Sequence, residues 1–188
     1  AFEFTNDSYR RLLNLQIFDT LCAQVDRHEG NYMVKVDTKQ YNIGDVTDFK
    51  GIDNDMSFGT LKYKDVCKKG LKGHMNMTKI TDEKGDFALP AVEEEFALKI
   101  LALQEEQLRF EMADLLDDDE MDALVDRIKG VQDLLKTAMD KNKNLLISKE
   151  KDTFWTKSKQ DFKKQGKDDE SKLNYNLRFT YFPEKFFQ

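Results

Sequence analysis

The chain has 188 residues, 39% of them hydrophobic and 35% charged, with a formal net charge of −6. That length buries a core without staples, and two cysteines, Cys22 and Cys67, make no disulfide framework. No apolar run approaches the roughly 18 residues that span a bilayer, and Ala1-Phe2-Glu3-Phe4 lacks a signal-peptide pattern, so a soluble protein, cytoplasmic or otherwise intracellular, with no membrane partner is expected.

From Asn6 to about His28 the apolar residues Leu12, Leu13, Leu15, Ile17, Phe18, Leu21, Cys22 and Val25 predict a helix, capped by Asn6 or Asp7 and stopped at Gly30. Between Asn31 and about Ile80 the period falls to two. Tyr32, Val34 and Val36 alternate with Met33, Lys35 and Asp37, and weaker alternation recurs at Leu61-Lys62-Tyr63 and at Met75-Asn76-Met77-Thr78, predicting short strands between glycine turns.

Ala91–Ile147 reads as two long helical arms hinged at Asp117-Asp118-Asp119-Glu120. Pro90 and Glu93, Glu94 and Glu95 suit the opening turn of the first arm. One stripe of that arm is Leu98, Leu101, Leu108, Met112 and Leu115; a second line, Val92, Phe96, Ile100, Leu103 and Phe110, lies about 100° away. The second arm, capped by Asp118 or Asp119, carries Leu124, Ile128, Val131, Leu135 and Ala138 as a seam of coiled-coil type. Gly130 inside it costs roughly 1 kcal/mol of helix propensity relative to Ala, which only burial of the seam offsets. An antiparallel helical hairpin with arms of about 40 Å is the economical reading.

Leu145-Leu146-Ile147 fits either the end of that arm or a strand. The stretch Lys149–Glu170 is lysine-rich, with Gly166–Glu170 read as a loop. Leu173, Tyr175, Leu177, Phe179 and Tyr181 then alternate with polar residues as a one-sided strand that must pair with the region Asn31–Ile80. Charge is segregated: Lys141–Gln188 holds 12 Lys and Arg against 7 Asp and Glu, a net +5, so the preceding 140 residues carry −11.

Chemical signatures are sparse. Lys157, Lys159, Lys163 and Lys164 interleave with Trp155 in a pattern suited to phosphates and stacked bases, although the protein as a whole is acidic. The Asp117–Glu120 run and the Asp53, Asp55, Ser57 triplet lack the glycine and the bidentate glutamate of an EF-hand loop. Cys22, His28, Cys67 and His74 lack zinc-finger spacing. Asp26, Asp37 and Lys39 have the types of a sparse metal-dependent nuclease centre, in which carboxylates bind the ion and lysine steadies the attacking water. No P-loop, dinucleotide fingerprint or serine elbow occurs.

The expected fold is a single α+β domain, residues 1–188. It comprises an N-terminal helix, a small mostly antiparallel sheet completed by a C-terminal strand, and the hairpin 91–147, free to protrude from the body. The preferred function is a non-enzymatic protein-binding or assembly protein, with no cofactor and no metal. It would be a structural subunit of a larger complex or viral particle that docks a protein partner or itself through Val92, Phe96, Ile100, Leu103 and Phe110. Nucleic-acid binding through Lys157, Lys159, Lys163, Lys164 and Trp155 is the alternative, and a metal-dependent nuclease the third reading.

Overall fold

The computed structural model describes residues 2–27, 30–40, 43–68, 80–82 and 84–167. Phe2–Phe4 forms strand β1, and Thr5 turns the chain into helix α1, Asn6–Cys22. Thr5, one residue ahead of Asn6, is the cap: its hydroxyl accepts the Ser8 N–H at 3.2 Å, a donor the first turn leaves open. The helix stops well short of His28, because Ala23 turns left-handed (φ 52°) and returns its N–H to the carbonyls of Asp19 and Thr20.

Strands β2, Tyr32–Gln40, and β3, Ile43–Gly51, form an antiparallel pair, and β1 adds to β3 in parallel, giving the order β1-β3-β2. Tyr32 faces Gly51 and Val34 faces Phe49, so the apolar set of β2 turns to one side, where Phe49 and Leu12 of α1 are buried together. Leu61-Lys62-Tyr63 is no strand: Tyr63 opens helix α2, Tyr63–Lys68, with its N–H bonded to Asp126 Oδ2 at 2.8 Å. The expected strands at 75–78 and 173–181 lie outside the described residues.

The first arm of the hairpin is not one helix. Val92–Glu93 is strand β4, followed by α3, Glu94–Ala102, and α4, Glu105–Met112, with extended backbone at Leu103 and Gln104. The break is stabilised from the other arm, α5, Asp118–Lys141, whose Gln132 amide donates to the carbonyls of Ile100 (2.9 Å) and Leu103 (3.1 Å). The Ile100 carbonyl also accepts the Leu103 N–H at 3.2 Å, and Gln132 satisfies the acceptors that the end of α3 leaves open. The cap of α5 is Asp117 rather than Asp118 or Asp119, in a reciprocal capping box with Glu120. Arg109 to Asp122 (2.6 Å) and Glu105 to Lys129 (2.6 Å) continue the pairing, so residues later in α4 meet residues earlier in α5 and the arms are antiparallel.

Leu124, Ile128, Val131, Leu135 and Ala138 are all buried, and α5 packs on α1 and α2 as well as on α3 and α4. The long helix is thus a centre of the core rather than an appendage, while α4 buries no residue. Leu146–Ile147 forms strand β5, parallel to β4. Helix α6, Asp152–Lys167, runs through Gly166 and Lys167, where a loop was expected. Among the described residues no helix is long and apolar enough to cross a membrane.

Candidate functional site

The residues between α1 and β2 meet those after β3 in a buried polar cluster. Arg27, with a side chain 2% exposed, sits at its centre. Its Nε and Nη2 donate to Asp19 Oδ2 and Oδ1, both at 2.9 Å, a bidentate pair. Nη2 also donates to Asn54 Oδ1 at 2.7 Å, and Nη1 to the carbonyls of Asn31 and Ile52. A guanidinium this dry is tolerable only when its donors are placed, and here every nitrogen has a partner. The end of β3 is shaped for it: a Cβ on Gly51 would lie 2.7 Å from Arg27 Cζ.

Around this arginine the two loops interlock. Ile52 donates its N–H to the Asn31 carbonyl at 3.0 Å, and the Gln24 amide donates to the Asp53 carbonyl at 2.9 Å. Asn31 spends its amide hydrogens on the Asp26 carbonyl (2.7 Å) and on Asp26 Oδ2 (3.2 Å), so only its oxygen remains to be offered elsewhere. The segment after β3 is bracketed by two non-glycine residues with positive φ, Asp53 (54°) and Phe58 (64°). Such backbone persists where the surroundings over-determine it, which functional sites commonly do. The result is a backbone held at the Asn31, Ile52 and Asp53 carbonyls, with the Asn31 side chain buried, that of Asp26 bonded to it and that of Asp53 exposed; all three are hard oxygen donors of the kind that Mg²⁺ takes.

The structure redistributes the nuclease set. Lys39 pairs with Asp45 Oδ2 at 2.6 Å, so it is engaged on the sheet, and Asp37 stands opposite Asp45 in the ladder. Asp26 alone of that set belongs to the polar cluster. Among the described residues no three His, Cys, Asp or Glu side chains converge closely enough to hold a metal by themselves. Any ion here would therefore use an amide oxygen, water or substrate to complete its shell. Cys22 is buried, and burial pushes its thiol up to about 12, the opposite of an activated nucleophile.

Of the expected docking line, Val92 and Ile100 are core residues and Phe96 and Leu103 pack half-buried against that core. Only Phe110 is open, at 83% exposure. The extended residues Leu103 and Gln104 reset the helical phase, so no single line crosses them. The open apolar residues of the hairpin are instead Leu98, Phe110 and Leu115, which no reading of the two stripes grouped together. Residues 105–122 around the last two hold nine Asp and Glu against one arginine, a net −8. Arg109 is held above its ordinary range by Asp122 and then Glu105, while Lys129 and Arg109 hold Glu105 below its own.

The nucleic-acid face also changes. Trp155 is 1% exposed, edge-on to Tyr9 with ring centroids 6.4 Å apart, and donates its indole N–H to the Ser148 carbonyl, so no base stacks on it. Lys159 donates to the Phe4 carbonyl at 2.7 Å, Lys157 is exposed, and the side chains of Lys163 and Lys164 lie outside the described residues.

A second buried arginine went unread in the sequence. Arg127 of α5 donates to the carbonyls of Leu21, Gly59 and Leu61, with Nη2 left without a hydrogen-bond partner. Its signal was a charge inside the apolar run Leu124-Val125-Asp126-Arg127-Ile128. It fixes the end of α1, and hence the polar cluster, onto the central helix. Comparison with protein-family models, with curated proteins and with solved structures gave no match.

Proposed function

We propose that the cluster at Asp26, Asn31 and Asp53 carries divalent-cation-dependent chemistry on a phosphate ester; phosphodiester hydrolysis is the third reading of the sequence, kept here with Asp26 alone of its original set. The observation behind this reading is the Arg27 network, which immobilises both loops from beneath. Binding and catalytic groups work best when their rotamers are locked by such support. In this reading Asp53 and the Asn31 amide oxygen hold the cation, and Asp26, oriented by Asn31, takes the proton of the attacking water or hydroxyl. The test is titration with Mg²⁺ and Mn²⁺ by calorimetry, together with cleavage of plasmid DNA and phosphate release from a nucleoside triphosphate. Cation binding that Asp53→Asn abolishes, with turnover that Asp26→Asn lowers by orders of magnitude, is expected. No cation binding by a folded wild-type chain sinks the proposal.

A second reading keeps the preference from the sequence: a non-enzymatic protein-binding or assembly subunit that docks through the hairpin. The solvent-facing Phe110 supports it, since a large apolar side chain at 83% exposure inside an acidic surround suits an anchor for another protein. A photo-crosslinking residue at position 110 should give adducts that the same residue at exposed Met56 does not. Equal labelling at both positions would end it. In both readings the segment Leu173–Tyr181 is proposed to extend the sheet, because β2 has one neighbour among the described residues. Truncation after Lys167 should then lower the melting temperature; an unchanged melt refutes that pairing.

A further inference from the structure

We infer that copies of this chain associate head to tail, the acidic turn end of the hairpin in one copy seating on the lysine-bearing face of α6 in the next. The inference rests on the second reading above and commits it to an occupant.

Charge complementarity is the first argument. Residues 105–122 carry −8, whereas residues 149–167 hold seven lysines against three acidic residues, a net +4. Within the acidic surface Glu105, Asp122, Asp117 and Glu120 are engaged by ion pairs or the capping box. Glu106, Glu111, Asp114, Asp118 and Asp119 are exposed and remain to meet an outside partner.

The second argument is that each charged surface presents an aromatic ring. Phe110 is 83% exposed on the acidic side. On α6, Phe154 is 51% exposed, with Lys151 Nζ 5.6 Å from its ring centroid and exposed Lys157 one turn onward. Exposed Glu150 and Asp152 also flank Phe154, so its surround is mixed with lysine in excess along the segment; an apolar centre with surrounding charge that complements its partner's is the layout of a specific protein interface.

Third, the two surfaces cannot meet within one chain. Asn6 donates to Thr156 and Tyr9 meets Ser158, which places α6 at the start of α1. Arg127 reaches the Leu21 carbonyl at the other end, about 25 Å along a 17-residue helix. Glu93 of β4, whose partner β5 follows α5, accepts from Arg10 and Asn14. So α5 runs antiparallel to α1, and its acidic first turn lies beyond Leu21, away from α6. The complement of each surface is therefore on another copy, and the contact is heterologous.

Sedimentation velocity of the full chain across a concentration series, at low and high salt, tests this. Species heavier than the monomer should grow with concentration at low salt and disappear at high salt. Phe110→Asp should abolish them, and so should the pair Lys151→Glu with Lys157→Glu, all at exposed positions. Mixing these two monomeric variants should restore a dimer that grows no further, since each retains one good surface. A wild-type chain that stays monomeric, or variants that associate as the wild type does, overturns the inference. If position 110 crosslinks to a protein of another mass while the chain stays monomeric, the docking reading stands and the head-to-tail contact falls.

Discussion

Gly130 of α5 lies against the ring of Tyr63 so closely that a Cβ built on it would collide with the ring's Cγ. The residue that weakens the helix by propensity is the one that lets α2 approach it, and Asp126 one turn earlier accepts the Tyr63 N–H. Gly130→Ala gains up to about 1 kcal/mol of helix propensity but forces the ring or the helix aside, at a cost of about 1–3 kcal/mol. Net destabilisation by chemical denaturation is expected. A stabilised variant would mean that Tyr63 swings away at little cost.

Ile100 and Phe110 occupy one predicted line but opposite environments, 3% and 83% exposed. Ile100→Asp buries an unpaired carboxylate and should abolish the cooperative unfolding transition. Phe110→Asp should leave the melting temperature nearly unchanged, because substitutions at open sites fall within about 0.5 kcal/mol. Equal loss in both variants would show that Phe110 is covered.

Local patterns were legible where one period ran without interruption. The seam of α5 and the face of β2 follow from spacing alone, since a buried stripe repeats at fixed intervals; in α1 Leu12, Leu13, Ile17, Leu21 and Cys22 are buried as expected, but Phe18 is 51% exposed and Val25 lies past the helix end. What was not legible depends on partners distant in sequence. The break at Leu103 is held by Gln132, and the end of α1 by Arg127; neither residue is near its target in the chain. Trp155 looked like part of a basic patch because the lysines beside it are local, whereas its packing partner Tyr9 is far away in the sequence. For the polar cluster, the sequence pointed to Asp26 but paired it with the wrong residues. Asn31 joins it by bonding to Asp26 directly, and the Asp53 backbone through Gln24, connections no spacing rule encodes.

Cys22 predicts both a reactivity and a pH dependence. Burial, with Asp19 adding to it, pushes its thiol from the ordinary value of 9.0 up to about 12. Its thiolate is therefore scarce near neutrality, and a thiol reagent should label Cys22 only after unfolding. The sign of the linkage follows. The folded value lies above the unfolded one, so this stability is fully present below about pH 9 and is lost as pH rises towards 12. Tyr63, pushed up chiefly by burial, acts in the same direction. Denaturation midpoints should fall across that alkaline window, and Cys22→Ala should flatten part of the fall. A midpoint that is level from pH 9 to 12 would contradict it.

The Asp19–Arg27 pair allows a sharper test of what supports the loops. Asp19→Ala leaves the guanidinium buried without its carboxylate, and breaking a buried pair this way costs about 3–5 kcal/mol. Arg27→Lys should cost nearly as much, because one ammonium cannot span Asp19, Asn54 and the carbonyls of Asn31 and Ile52. Replacing both partners by apolar residues should be milder than the sum of the single losses, because no unpaired charge remains. Chemical denaturation of the two single variants and the double variant measures the coupling directly. If the single losses simply add, the pair is energetically independent despite its geometry, and the rigidity assigned to Asp26, Asn31 and Asp53 must come from the other bonds to Gln24 and Arg27.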